Sequence, residues 1–199
     1  MSSGTSSEII LEQALARAGM TMDDISTVEM TVDGMTTAMI SGQIDAAASW
    51  SPNTVTLQNA LGDNYVDLGT NADFLDSAIF PSSYICTPEY AEANHDILVR
   101  FAQALDKAHD WRAAHPEEMA KLLAKELDAP EDTMLAAVGE ADWQTITEVC
   151  GDMDAIKTVY ETQQGIFLDN GTITENVPVE DYVLFDVMQE AYDAYSAAK

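Results

Sequence analysis

Basic side chains are nearly missing from the first half of this sequence: before Arg100 the only lysine or arginine is Arg17. Whatever that half binds, it binds with almost no side-chain cation. The whole chain has 8 Lys and Arg against 35 Asp and Glu, a formal charge of −27. Such a surface repels phosphate backbones and anionic headgroups, which argues against nucleic acid and against a membrane surface as partners. It favours solubility, and it is the kind of balance that halophilic proteins carry.

Other absences narrow the field further. No apolar run approaches the roughly 20 residues of a membrane span. The opening MSSGTSS has neither the basic nor the apolar region of a secretory signal. Cys86 and Cys150 have no metal-ligand spacing, and one disulfide or two buried thiols fit them equally. No Ser-His-Asp, zinc or phosphate-loop spacing is present. His95, His109 and His115 fall in a helical zone, where a lone histidine is mostly a surface residue. The expectation is therefore no catalytic residue, no metal ligand and no cofactor. There is no internal repeat and no low-complexity segment.

What is present reads as a globular chain, with 47% hydrophobic residues, so disorder is not the default. Thr5-Ser6-Ser7-Glu8 has capping-box spacing, and an apolar stripe from Ile9 to Ala18 ends at Gly19, which predicts a helix of about three turns. Residues 27–32 alternate as a short strand. Asp33 can cap a second helix, with Met35, Ala38 and Met39 on one face and Gly42 at its end. Residues 44–49 form a small, nearly continuous apolar run, the pattern of a strand covered on both faces. Ser51-Pro52 reads as a cap and first helical position, opening a helix with Val55, Ala60 and Leu61 inward and Gly62 at its stop. Residues 65–68 are a third strand. This alternation predicts βαβ units and a mostly parallel sheet, an α/β fold.

After residue 68 the pattern loosens into a connection over residues 69–81 and a strand over 82–86. From Thr87-Pro88 onward the sequence is helical. A long helix runs to about His115, Pro116 restarts it with Met119, Leu122 and Leu123 inward, and shorter helices follow near residues 131–139, 153–168 and 179–197. Two zones result: an α/β unit over residues 1–81 and a helix-rich C-terminal half over residues 82–199. Asn170-Gly171-Thr172 matches a glycosylation sequon but reads better as a turn.

Two helix starts look alike: Gly4-Thr5-Ser6-Ser7 and Trp50-Ser51-Pro52-Asn53. Each sets free backbone N–H groups, a positive dipole end and short hydroxyls at a sheet edge. Such a place takes an anion or the electron-rich end of a polar ligand without any lysine or arginine. Gly4 lets a ligand approach the backbone, and Trp50 offers a flat wall. Ligands of open α/β sheets sit outside the carboxyl ends of the strands, so the pairing points to one site.

At these residues a resemblance enters. GTSSEIILEQALARAGM, then GMTTAMISGQIDAAASWSPN, resemble the second lobe of type II periplasmic-binding-protein-like receptors. They are most similar to the nitrate/sulfonate/taurine/thiamin-precursor branch of ABC-transporter substrate-binding proteins, the NMT1/THI5-like group. FPSSYICTPEYAEAN and HPEEMAKLLAKEL are similar to the segment that returns to lobe one. The resemblance implies a three-layer αβα receptor that closes on a small solute and hands it to a membrane permease outside the cytoplasm. Residues 1–81 would be the ligand-binding second lobe and residues 82–199 the return to lobe one, with the earlier part of lobe one lacking. It implies that Gly4, Thr5, Ser6 and Ser7 line the polar head of the ligand. Trp50, Ser51 and Asn53 would flank it, and Asp33 would approach it from the loop at residues 32–35. The ligand would be a sulfonate, a nitrate-like anion or a thiamin-type pyrimidine. Alternatives on the same fold are a thiamin-pyrimidine synthase-like enzyme and a ligand-sensing regulatory domain. Apolar surface shaped for absent strands predicts self-association.

Overall fold

A computed structural model of the chain describes residues 1–74, 80–140 and 143–199. Ten α-helices occur among these: α1 Ser6–Arg17, α2 Val32–Ile40, α3 Asn53–Leu61, α4 Pro88–Ala93, α5 His95–Ala114, α6 Pro116–Glu126, α7 Glu131–Ala136, α8 Ile146–Cys150, α9 Met153–Asp169 and α10 Phe185–Ala197. Part of the expected connection at residues 69–81 lies outside the described residues.

The chain divides into two compact units, Met1–Phe80 with Ala120–Ala141, and Pro81–Met119 with Asp142–Lys199. In the first, α1 buries Ile9 and Leu15, and α2 buries Met35 fully beside Ala38. Gly19 and Gly42 stop these helices. Each adopts positive φ, and the amides of Met20 and Gln43 donate back to the carbonyls of Leu15 and Ala38, closing the last turn. Against α2 packs α3, which buries Val55 and Leu57. Ala60, expected inward, is exposed. In the same unit Ala120 and Ala124 of α6 pack against Met134 of α7, while Leu122, also expected inward, is 51% exposed.

The cap positions differ from expectation in instructive ways. Helix α2 starts one residue before Asp33, and Thr31 caps it by accepting the Gly34 amide at 3.3 Å. Starting at Val32 sets Met35 and Ala38 on one buried face. Ser51 does not cap α3: Pro52 holds the cap position after a cis Ser51–Pro52 bond, and Ser51 instead shares a hydrogen bond with the Thr54 hydroxyl. Thr5 occupies the cap position of α1, but its hydroxyl donates to the Ser2 carbonyl rather than capping the helix.

The strands expected at residues 27–32, 44–49, 65–68 and 82–86 are extended or irregular, and no β-ladder forms among the described residues. The mixed helical architecture is thus established, and the parallel sheet stays an expectation. One fragment of ladder geometry exists. The Met1 amino group donates to the Val28 carbonyl at 2.8 Å, and the Met30 amide donates to the Met1 carbonyl at 3.1 Å. That is how one residue of a parallel strand bonds across its neighbour. Beside it, Glu29 accepts from the Ser3 amide and hydroxyl, and these bonds hold its carboxyl below the usual range.

In the second unit α5 packs along α10, with Val99, Val187 and Ala191 at the centre. Helix α8 docks on both. Asp110 of α5 accepts the Ile146 amide at 2.9 Å and the Tyr195 hydroxyl at 2.7 Å, and pairs with Lys199. Gln164 of α9 donates to the Val177 carbonyl at 2.9 Å and fixes the loop before α10. The Asn170 side chain accepts from the amide and hydroxyl of Thr172, the turn expected there. Cys86 and Cys150 are free thiols.

Candidate functional site

All eight candidate residues lie in the first unit, at three helix starts: residues 4–7 at α1, Asp33 in the first turn of α2, and Trp50, Ser51 and Asn53 at α3. At the start of α1, Thr5 and Ser7 share a hydrogen bond of 2.8 Å, and Ser7 is buried. Gly4 is exposed with φ of 71°, a left-handed turn that glycine adopts without strain, and no atom crowds its α-carbon. Its amide donates to Glu8 Oε2 at 2.7 Å. The amides of Ser6 and Ser7 have no acceptor among the described residues: a first-turn amide has none within its helix, and no side chain caps these two. A carboxylate already sits against this positive helix end, so the electrostatics suit an anion.

At the start of α3, Trp50 is 41% exposed and its carbonyl accepts the Asn53 amide at 3.0 Å. The Ser49 hydroxyl just before it is enclosed and has no partner among the described residues. Asn53 Oδ1 lies 3.2 Å from the Thr36 hydroxyl, which links α3 to the helix that carries Asp33. Asp33 is exposed, and its carbonyl accepts the Thr37 hydroxyl at 3.1 Å. The structure therefore brings Asn53 to α2 and clusters Thr5 with Ser7. Among the described residues no hydrogen bond or ion pair joins residues 4–7 to residues 50–53.

The one lysine or arginine of residues 1–80 is committed. Arg17 donates to the Leu68 carbonyl and lies over the Phe74 ring at 4.8 Å. A ligand at the start of α1 or α3 meets main-chain amides and hydroxyls instead.

A cavity of about 880 Å³ opens elsewhere in this unit. Leu11, Ala14 and Leu15 of α1 form one wall, and the extended residues 25–28 and 43–48 form others. None of the eight candidate residues lines it. Sequence reasoning missed this cavity because it exists only where extended segments are left without a neighbour. The available signal was the apolar run at residues 44–49, whose composition is that of a strand covered on both faces.

Among the described residues, no group of three His, Cys, Asp or Glu could hold a metal ion, and no helix is long and apolar enough to cross a membrane. Cys150 is pushed up to about 11 by burial and by the Asp106 charge, which keeps it a protonated, unreactive thiol.

The family profile described as NMT1/THI5 like matches residues 1–119, a stretch that holds all eight candidate residues. A protein of Brucella abortus named "Putative binding protein" is 35% identical over 122 residues, 61% of this chain and 38% of that protein. One of the same printed description in Brucella suis matches to the same extent. A protein of Escherichia coli K12 named "Putative aliphatic sulfonates-binding protein" is 24% identical over 184 residues, 90% of this chain and 54% of that protein. The chain thus spans between 38% and 54% of the length of these curated relatives. No solved structure matches the chain significantly.

Proposed function

The chain belongs to the NMT1/THI5-like family, and from that premise we propose that it is the solute-binding component of an ABC importer, not an enzyme. It works outside the cytoplasm and delivers a small polar solute to a membrane permease. The observation that carries this reading is the family match over residues 1–119, which takes in all three helix starts.

The chemistry of those starts narrows the solute. Main-chain amides at a helix dipole hold a single negative charge well, whereas a dianion needs side-chain cations, and residues 1–80 carry only Arg17, which is held by the Leu68 carbonyl. The ligand is a monoanion such as an alkyl sulfonate or nitrate, its charged head at the amides of Ser6 and Ser7 and its remainder against Trp50. The sulfonate named for the Escherichia coli relative supports the first of these. A thiamin-type pyrimidine stacked on Trp50 is the second reading, favoured by the exposed indole.

Exposed apolar side chains on unpaired extended segments, Val66 at 73%, Leu68 at 63% and Ile85 at 94%, support self-association of this chain.

Thermal unfolding in the presence of methanesulfonate, taurine, nitrate and a hydroxymethylpyrimidine tests the function. A ligand at about twenty times its dissociation constant stabilises the folded state by about 1.8 kcal/mol, a rise of roughly 4–7 °C. The account expects that rise with one anion class and its loss in Trp50→Ala. No rise with any of the four rejects the ligand class.

A further inference from the structure

Helix α9 ends at the one Asn-Gly pair of the sequence, Asn170-Gly171. Both residues are exposed, as are Asp169 before them and Thr172 after them, so water reaches the pair freely. Gly171 has φ of 74°, and no described atom lies near the place that a β-carbon would take. Nothing beside its nitrogen therefore hinders an approach to the Asn170 side chain.

Asparagine followed by glycine is the pair in which a side-chain amide is most readily lost. The Gly171 nitrogen gives up its proton and attacks Cγ of Asn170. A new N–Cγ bond forms, the Cγ–Nδ2 bond breaks, and Nδ2 leaves as ammonia with that proton. The five-membered imide that remains takes up one water. Opening at Cγ gives aspartate. Opening at the main-chain carbonyl gives isoaspartate, in which the chain runs on through Cβ and Cγ. Nothing is oxidised or reduced, and water is the only reactant consumed.

The folded turn holds this chemistry back. Asn170 has ψ of 2°, which turns the Gly171 nitrogen away from its side chain. The Gly171 amide donates to the Leu168 carbonyl and the Asn170 amide to the Ile166 carbonyl, both at 3.1 Å. Asn170 Oδ1 is held by the Thr172 amide at 3.0 Å and by its hydroxyl at 2.7 Å. The ring closes only after the main chain rotates at Asn170 and the last turn gives way. Helix ends open locally far more often than a whole domain unfolds. Gly165 makes this end open more readily still, because a glycine inside α9 with nothing beside it favours the unwound chain.

Isoaspartate does not let the turn reclose. The chain after α9 is tied back to the helix twice. The Ile173 amide donates to the Phe167 carbonyl at 3.1 Å, and the Gln164 side chain donates to the Val177 carbonyl at 2.9 Å. Isoaspartate inserts one more carbon into the main chain at residue 170. The short tie at Ile173 cannot absorb it, whereas the longer tie at Val177 can. The new carboxylate also stands beside Asp169 at the negative end of the α9 dipole, where it is repelled.

We propose that Asn170 is a self-modifying site: opening of the last turn of α9 lets its amide convert, with water alone, to aspartate and isoaspartate, and isoaspartate then keeps that turn open. The conversion runs one way, so it records how often the end of α9 frays.

The test incubates the folded chain at mildly alkaline pH and follows the peptide containing Asn170 by mass spectrometry, which separates an amide from its acid. A free peptide of residues 166–174 sets the unguarded rate. The folded chain is expected to convert at Asn170 at least about tenfold more slowly than the peptide, and urea to remove the difference. Gly165→Ala strengthens α9 without touching the pair, and should slow conversion by a further factor of about two to five. In the converted chain, amide exchange should quicken at least about fivefold at Ile173 and stay unchanged at Val177. No conversion in the folded chain while the peptide converts overturns the proposal. A rate equal to that of the peptide, or one that Gly165→Ala leaves unchanged, overturns it as well, because the turn would then not be the guard. Unchanged exchange at Ile173 in the converted chain refutes the lasting opening.

Discussion

The hydroxyl of Thr36 lies 3.2 Å from Oδ1 of Asn53, and this bond ties α2 to the first turn of α3. Thr36 is 7% exposed and also reaches the Val32 carbonyl at 3.0 Å, so it keeps one partner if Asn53 is lost. Asn53→Ala is expected to cost about 1 kcal/mol, the worth of one ordinary hydrogen bond. Urea unfolding measures it. A loss under a few tenths of a kcal/mol would mean that this bond does not set the position of the α3 start.

Glu8 holds the amide of Gly4 at 2.7 Å and occupies the place where an external anion would be drawn. Removing its charge should favour a ligand anion at the α1 start. Glu8→Gln is expected to tighten nitrate or methanesulfonate binding about two- to fivefold, the worth of one charge at a helix end. Titration calorimetry of the variant checks this. Weaker binding would place the anion elsewhere.

Asp106 is 6% exposed and its Oδ2 has no hydrogen-bond partner among the described residues. Burial first, then the nearby Asp110 charge, pushes its carboxyl from the usual 3.8 up to about 6, against the pull of Lys199. The folded state therefore binds this proton more tightly than the unfolded chain. Folding is penalised fully above about pH 6, and the penalty disappears as pH falls toward 4. Asp106→Asn should raise the melting temperature at pH 7 and lose that advantage at pH 4, as a calorimetric series across this range would show. An advantage that is constant with pH would contradict the assignment.

His95 bonds Glu190 at 3.0 Å, and this bond raises its pKa above the usual imidazole value. The raised value means that the contact supports the fold at low pH and lets go as pH rises through the folded midpoint. In a proton NMR titration Glu190→Gln should move the His95 midpoint down. An unmoved midpoint would show that the contact is not made in solution.

The helices were legible because their signals are local. The apolar spacing of α5 and the break at Pro116 need only neighbours three or four residues away, and Gly19 and Gly42 stop α1 and α2 through bonds to their own last turns. Caps were less legible, because Thr31 and Asp33 can both cap and the choice falls to whichever start buries Met35. Strands were the least legible in outcome. Residues 44–49 have strand composition, but a strand is completed by a neighbouring chain segment, and their amides face a cavity. The candidate site divides the same way. The cluster of Thr5 with Ser7 is local, whereas the link from Asn53 to Thr36 depends on how α2 and α3 pack.

The central claim is that the main-chain amides at the start of α1 take the charged head of a small solute whose remainder meets the start of α3 at Trp50. Nitrogen–proton correlation spectra of the chain, titrated with methanesulfonate, test it most directly, because they register binding even on the order of 1 mM, about −4 kcal/mol. The account predicts saturable shifts at the amides of Ser6, Ser7 and Asn53 and at the indole of Trp50, all with one dissociation constant. Saturable shifts confined to other residues, or none at these four, would contradict it.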